Sequence, residues 1–263
     1  MIPRDTFLVA RDGQPLSAVS RAIRVVDVTE MAAARTLRTQ QRGNGPGSFV
    51  IRDDRSSLAV RIQFAVLEED YATRTTILSR VAQWARSGTI LTLGDRPGKQ
   101  LACICTALPQ TQSRRKWAGL CEMTFTAYRV PFWEDELPMT AEATSPALQH
   151  KIALAQPGTY PAPLTACITA HGAVSELSIT AGGSECAFSG LALAAGGQLD
   201  LTCENGLTGA FQAAADGNAQ PCLDAITAGS ADELLLPPGE TSIVTVTADG
   251  PVTVRLCVRG RFD

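Results

Sequence analysis

Between Leu58 and Ser87 the hydrophobic period switches from two to about 3.6 residues, and this switch restricts the fold more than any other stretch. In LAVRIQFAV, Leu58, Val60, Ile62, Phe64 and Val66 alternate with Ala59, Arg61, Gln63 and Ala65, which is a strand with one buried face. Glu68, Glu69 and Asp70 follow, and carboxylates there favour a helix N-terminus. In TRTTILSRVAQWARSG, Ile77, Leu78, Val81, Trp84 and Ala85 share one stripe. Gly88 is placed to end that helix in a left-handed C′ conformation. The runs TILTL and KQLACICTAL, separated by Gly94-Asp95-Arg96-Pro97-Gly98, are expected to pair as a hairpin. GLCEMTFTAYRVPFW then sets Cys121, Met123, Phe125 and Ala127 against Leu120, Glu122, Thr124 and Thr126, and Pro131 ends regular pairing. The sum is a β-α-β-β-β unit.

Upstream, Asp12-Gly13 lies between two apolar runs and signals a tight hairpin or an edge strand. RAIRVVDVTEM reads as a strand. AARTLRTQQRGNGPGSFVIRDDRSS is rich in Arg, Gln, Gly and Pro and reads as a loop, because its GNGPG centre supports neither a helix nor a central strand.

The second half has another texture. PLTACITA, VSELSIT, CAFSGLAL, GQLDLTCE, LTGAFQA, TSIVTVTA and PVTVRLCVRG recur at close spacing, separated by Gly, Asn, Asp and Pro. Such spacing predicts an all-β, two-sheet antiparallel sandwich, with Asp249-Gly250 turning its best hairpin. Charge divides the chain at the same place. Residues 1–133 hold 19 Lys and Arg against 11 Asp and Glu, whereas residues 134–263 hold 4 against 15. The expected organisation is a domain over residues 1–133, a linker over 134–150 containing EDELPMTAEATS, and a sandwich over 151–263.

Catalysis finds little support. A nucleophilic triad needs a base, and the two histidines are His150 and His171. Cys167 and His171 stand four apart in a segment that reads as strand then turn, without a second Cys/His pair, so a metal site is not expected. The eight cysteines lack CxxC spacing and read as reduced core residues, Cys103, Cys105 and Cys121 among them. No P-loop and no GxGxxG opening a helix occurs, and no cofactor is expected. No run of eighteen apolar residues suggests membrane insertion, and no secretory leader is apparent.

The strings RIQF, QWARSG, TILTLGDRPGKQLACICTAL and EMTFTAYRVPFWEDE resemble, in pattern and order, the N-terminal domain of the distal tail protein of long-tailed (siphovirus-like) bacteriophages. In the second half LLLPPGETSIVTVTA sits where that family has a Pro-Gly turn before its closing hairpin. The resemblance implies a mainly β chain with one main helix. An α+β, split β-barrel-like ring domain is followed by a galectin-like or jelly-roll sandwich. It further implies a non-enzymatic protein of the virion tail, assembled in the host cytoplasm as a homohexameric ring. The implied partners are the tail tube, hub or tail-associated, tape measure and receptor-binding proteins, with no sequence-specific nucleic acid. Trp84 fits the helix stripe and reads as core. Trp117, beside Arg114 and Arg115, is an interface candidate together with Arg42 of the Arg-rich loop, because aromatics and Arg are enriched in contact cores. The rival reading is a carbohydrate-binding module in the sandwich. Against it, all three tryptophans, the usual sugar platforms, precede residue 134.

Overall fold

The computed structural model describes residues 8–41, 48–114, 119–145, 149–204, 207–213, 219–231 and 233–263. The chain forms two compact units, Met1–Trp133 and Glu134–Asp263. It is mainly β, with one main helix and antiparallel sheets.

The first unit runs β1 (Val9–Arg11), β2 (Gln14–Pro15), a single turn α1 (Leu16–Val19), β3 (Ile23–Met31), β4 (Arg35–Gln41), β5 (Ser48–Arg55), β6 (Leu58–Val66), α2 (Tyr71–Ser87), β7 (Ile90–Leu93), β8 (Lys99–Ala102), β9 (Ile104–Arg114) and β10 (Gly119–Ala127). Asp12 and Gly13 both take positive φ, 46° and 75°, so β1 and β2 close in the expected two-residue hairpin. Strands β3, β6, β10 and β9 lie side by side in that order. The alternating face of β6 is buried from Leu58 to Val66, as are Cys121, Met123 and Phe125 of β10. Helix α2 covers this face. It buries Ile77, Val81, Trp84 and Ala85, and the Trp84 ring meets Phe125 edge-on at 6.2 Å. Ile77 and Val81 each contribute roughly 1.5–3 kcal/mol of burial, and the methyl of Ala85 less.

The N-terminus of α2 is capped by Asp70, whose carboxylate accepts from Thr73 N–H at 2.7 Å and Thr73 Oγ–H at 2.6 Å. These bonds to Thr73 hold the Asp70 carboxyl below its ordinary value. A depressed carboxyl favours the folded state above the pKa of the unfolded chain, and that contribution disappears as pH falls through the folded value. Asp70→Asn should therefore flatten part of the acid limb of the stability–pH profile below about pH 4. Profiles of equal slope for both proteins would refute this.

Three expectations for this unit are corrected. KQLACICTAL is two strands, because the chain leaves the β7–β8 pair at Cys103 and re-enters pairing beside β10. Buried Cys103 marks the break, its N–H bonded to Thr89 O at 2.9 Å and its O accepting from Arg11 at 2.8 Å. Gly88 is extended, with φ −104°, and is not left-handed. Its lack of a Cβ is needed because one there would collide with Cγ of Arg11. The Arg-rich stretch is the hairpin β4–β5, with GNGPG outside the described residues. Trp133 closes the unit: its Nε1 donates to Glu30 at 3.1 Å, and Arg96 pairs bidentately with Glu30 at 2.7 and 2.8 Å while stacking over the indole at 5.2 Å.

Through β11 (Trp133–Asp135) the chain enters the second unit. There follow β12 (Met139–Ser145), β13 (Gln149–Ala155), β14 (Ala162–Ala170), β15 (Val174–Ala181), β16 (Ser184–Leu193), β17 (Gln198–Glu204), β18 (Leu207–Ala213), β19 (Ala219–Pro221), a 3₁₀ turn at Leu223–Ala225, β20 (Leu235–Leu236), β21 (Thr241–Ala248), β22 (Val252–Val258) and β23 (Arg261–Phe262). One sheet has the order β12-β22-β14-β17-β18-β19 with β20 beside β14; the other is β13-β21-β15-β16. Their inner faces enclose one apolar core that includes Ile152, Leu164, Ile168, Ile179, Phe188, Leu199, Val246 and Leu256.

Residues 134–150 are not a linker. β12 pairs with β22 from Met139 to Ser145, and β13 pairs with β21 from Gln149 onward. Of the acidic residues that suggested a linker, Glu142 lies on edge strand β12, facing Arg255 across the pair, whereas Glu134 and Asp135 are half-buried in β11, with Glu134 paired to Arg261 at 3.2 Å. Nor is Asp249-Gly250 a hairpin turn: β21 and β22 belong to different sheets, and the dipeptide is the corner between them.

Candidate assembly surface

Strands β4 and β5 pair with each other and, among the described residues, with no other strand. The base of this arm is tied down. Ala34 N–H donates to Ser56 Oγ at 2.7 Å, Ser56 N–H donates to Ala34 O at 2.9 Å, and the Arg55 guanidinium lies over Phe132 at 5.1 Å. Beyond the base the described side chains, at residues 37–40, 48 and 49, are exposed. Leu37, opposite Asp53, is 47% exposed, and Phe49, opposite Gln40, is 55% exposed. A two-stranded ribbon alone is only marginally stable in water. One that displays large apolar side chains, with five arginines against two aspartates in residues 35–55, has the make-up of a contact surface.

The far face of the β3-β6-β10-β9 sheet is polar and forms rows in register. Thr29, Arg61 and Thr124 form one row, and Asp27, Gln63, Glu122 and Gln110 the next. Gln63 Nε2 donates to Glu122 at 3.0 Å, and Thr106 and Thr126 hydroxyls meet at 2.8 Å. The Arg61–Glu122 pair, at 4.0 Å and partly exposed, adds little stability. Both flanking edges are modified. β3 carries a bulge that turns out Val26, and β9 contains Pro109, which has no N–H to offer.

Of the four interface candidates, Arg42, Arg115 and Trp117 lie outside the described residues. Arg114 is placed through its backbone alone, in register with Gly119 where the β9–β10 hairpin ends. Arg42 belongs to the connection between β4 and β5, so the candidates fall at the ends of two different hairpins. Leu37 and Phe49 escaped the sequence reading because the runs that hold them have few apolar residues.

Two of the side chains that could bear chemistry, His171 and Cys167, stand against polar neighbours, while Nε2 of buried His150 meets no partner among the described residues. His171 Nε2 is 2.7 Å from Thr253 Oγ1, while Cys167 stands opposite Asp200 on the neighbouring strand. Burial, with Asp200 beside it, pushes the Cys167 thiol up to about 11. Burial does the same to Cys103, in spite of the opposing Arg11 guanidinium, and to Cys186. Thiols of this kind stay protonated and are poor nucleophiles. Cys105 faces Phe125 and Cys121 faces Thr111 across β-pairs, so these thiols are not brought together in register. Among the described residues no three His, Cys, Asp or Glu side chains are grouped to hold a metal, and no helix is long and apolar enough to cross a membrane.

No protein-family model and no curated protein sequence matches the chain. Solved structures do. The SPP1 Dit (gp 19.1) protein, described as a paradigm of the hub adsorption apparatus in phages that infect Gram-positive bacteria, superposes with a TM-score of 0.70 at 11% identity, over 98% of this chain and 99% of that one. Chains of the phage p2 baseplate in its activated conformation give 0.47 at 6% identity with Sr (90% of each chain) and 0.44 at 6% with Ca (91% of this chain, 90% of that one). From end to end, through both the helix-backed sheet unit and the sandwich, the chain has the fold of a phage distal tail (Dit) protein.

Proposed function

We propose that this chain is a non-enzymatic structural protein of a long-tailed phage tail tip, in which six copies form a ring between the tail tube and the hub or receptor-binding apparatus. The observation that carries the reading is the superposition on SPP1 Dit over nearly the whole of both chains. The arm supplies the physical means. Contacts between two different surfaces, repeated about a rotation axis, close into a ring, and a ribbon exposing Leu37 and Phe49 gains order and buried area when it lies against the next copy. The hairpin ends holding Arg42 and Arg114–Trp117 are the other proposed contacts. Tail tube, tape measure and hub proteins are the proposed neighbours.

Electron microscopy of the purified protein or of assembled tails should show rings. Leu37→Asp and Phe49→Asp should shift the protein to monomer in light scattering while the melt followed by Trp fluorescence stays in place. A wild-type protein that remains monomeric at high concentration, in particles without rings, would count against the proposal.

A further inference from the structure

We propose that the second unit carries a binding groove for a neutral saccharide on the outer face of its smaller sheet, a function separate from ring assembly. The groove is open, with a volume of about 480 Å³, within the range of small-ligand sites, and the polar part of its lining is Glu176, Ser178, Ser189, Thr227, Thr247 and Asp249. Strand register explains why these side chains converge. Ser178 stands between Thr247 of β21 and Ala187 of β16, and Glu176 faces Ser189. Leu177 and Ala248 alternate with them into the core, as does Phe188, 2% exposed.

One wall is built by the chain after the 3₁₀ turn, which lies along the edge of β16. Thr227 N–H donates to Ala187 O at 2.9 Å, Ser230 Oγ accepts from Ala187 N–H at 3.0 Å, and Ala231 N–H donates to Glu185 O at 2.7 Å. These bonds satisfy an otherwise open strand edge and fix the wall in place.

The lining selects the class of ligand. Among the described residues no Lys, Arg or His lines the groove, so a phosphate or carboxylate finds no counter-charge there. The Asp249 carboxylate is occupied at the corner, accepting from Ser175 N–H at 3.0 and 3.2 Å and from Ser175 Oγ–H at 2.5 Å. That leaves Glu176 as the carboxylate toward a ligand, and one carboxylate is a poor cage for a cation. Hydroxyls that both donate and accept, beside one carboxylate and the small side chain of Ala187, match the alternating hydroxyl and C–H surface of a pyranose.

The test is a glycan array probed with the full-length protein, with the best glycan titrated calorimetrically against wild type, Glu176→Gln and Ser178→Leu, and with spermidine as a cationic probe. The expected result is binding of one or more neutral glycans, weakened about tenfold or more by each substitution, in line with loss of a charge-assisted hydrogen bond and filling of the groove. Unchanged melting curves must accompany the loss; if Ser178→Leu unfolds, Ser189→Ala takes its place. No neutral glycan above background, equal affinity in the variants, or binding of spermidine alone overturns the proposal.

Discussion

Arg11→Ala is expected to destabilise the first unit by about 3–5 kcal/mol, the cost of leaving buried acceptors without a donor plus that of a cavity. Arg11 is 2% exposed although it immediately precedes the turn of a surface hairpin. Its guanidinium donates to Cys103 O at 2.8 Å, to Cys103 Sγ at 3.1 Å and to Gly88 O, and lies 4.8 Å from the centroid of Phe125. One side chain thus joins β1, the end of α2, the strand switch at Cys103 and the core ring of β10. Its Nε meets no acceptor among the described residues, so part of the gain is offset by desolvation. Arg11→Lys should recover only a fraction, because a compact ammonium cannot span the same acceptors. Urea melts followed by Trp fluorescence isolate the effect, since Trp84, Trp117 and Trp133 all lie in residues 1–133. A loss below about 1 kcal/mol would mean that this cluster does not hold the unit together.

Gly250→Val is expected to cost the second unit about 2–4 kcal/mol through a clash that backbone must absorb. A Cβ at 250 would drive into Ala173 O and stand 3.1 Å from Val174 Cγ2. Neither can move freely: Val174 opens β15, and Asp249 ties the corner to the same strand through Ser175 and through its own N–H to Glu176 O at 3.1 Å. Far-UV circular dichroism should show the strand signal melting earlier while the Trp-reported transition stays unmoved. The experiment also separates two topologies. If β21 and β22 were a hairpin, Thr247 amide contacts would run to the β22 strand; in the sandwich they run to Gln149 and Ser178. Cross-peaks to β22 would remove the corner and with it the reason for the expected loss.

Both variants mark where sequence reasoning stops. The period-2 run of β6 and the stripe of α2 were legible because each buries one face, so a local pattern reports the environment directly. Asp12-Gly13 was legible too, since the two-residue turn it favours is the one formed. The same dipeptide type at Asp249-Gly250 misled because the signal specifies a local change of direction and not which sheet receives the next strand. KQLACICTAL misled in the same way: its alternation continues smoothly across Cys103, while its hydrogen-bonding partner changes. The arm was missed for a third reason. Where side chains on both faces are exposed, as at residues 37–40, a strand has no reason to alternate, and its order depends on pairing that composition does not encode.

For the surface that matters most to the proposed ring, the sequence indicated a basic first half, with Trp and Arg near 114–117 and Arg42 in an Arg-rich stretch. Leu37, Phe49 and the in-register polar rows became a surface only once strands distant in sequence were set side by side.

What the residues alone determined was class and count: one amphipathic helix against an alternating sheet, then an all-β half of opposite charge. These follow from how much apolar surface each segment must hide, a property of neighbours in the chain. What only the tertiary structure decided was partnership: which strand continues which sheet, which arginine enters the core, and which hydroxyls share a groove. Those outcomes depend on acceptors and edges supplied by residues tens to hundreds of positions away, such as the 92 that separate Arg11 from Cys103, and no local pattern carries them.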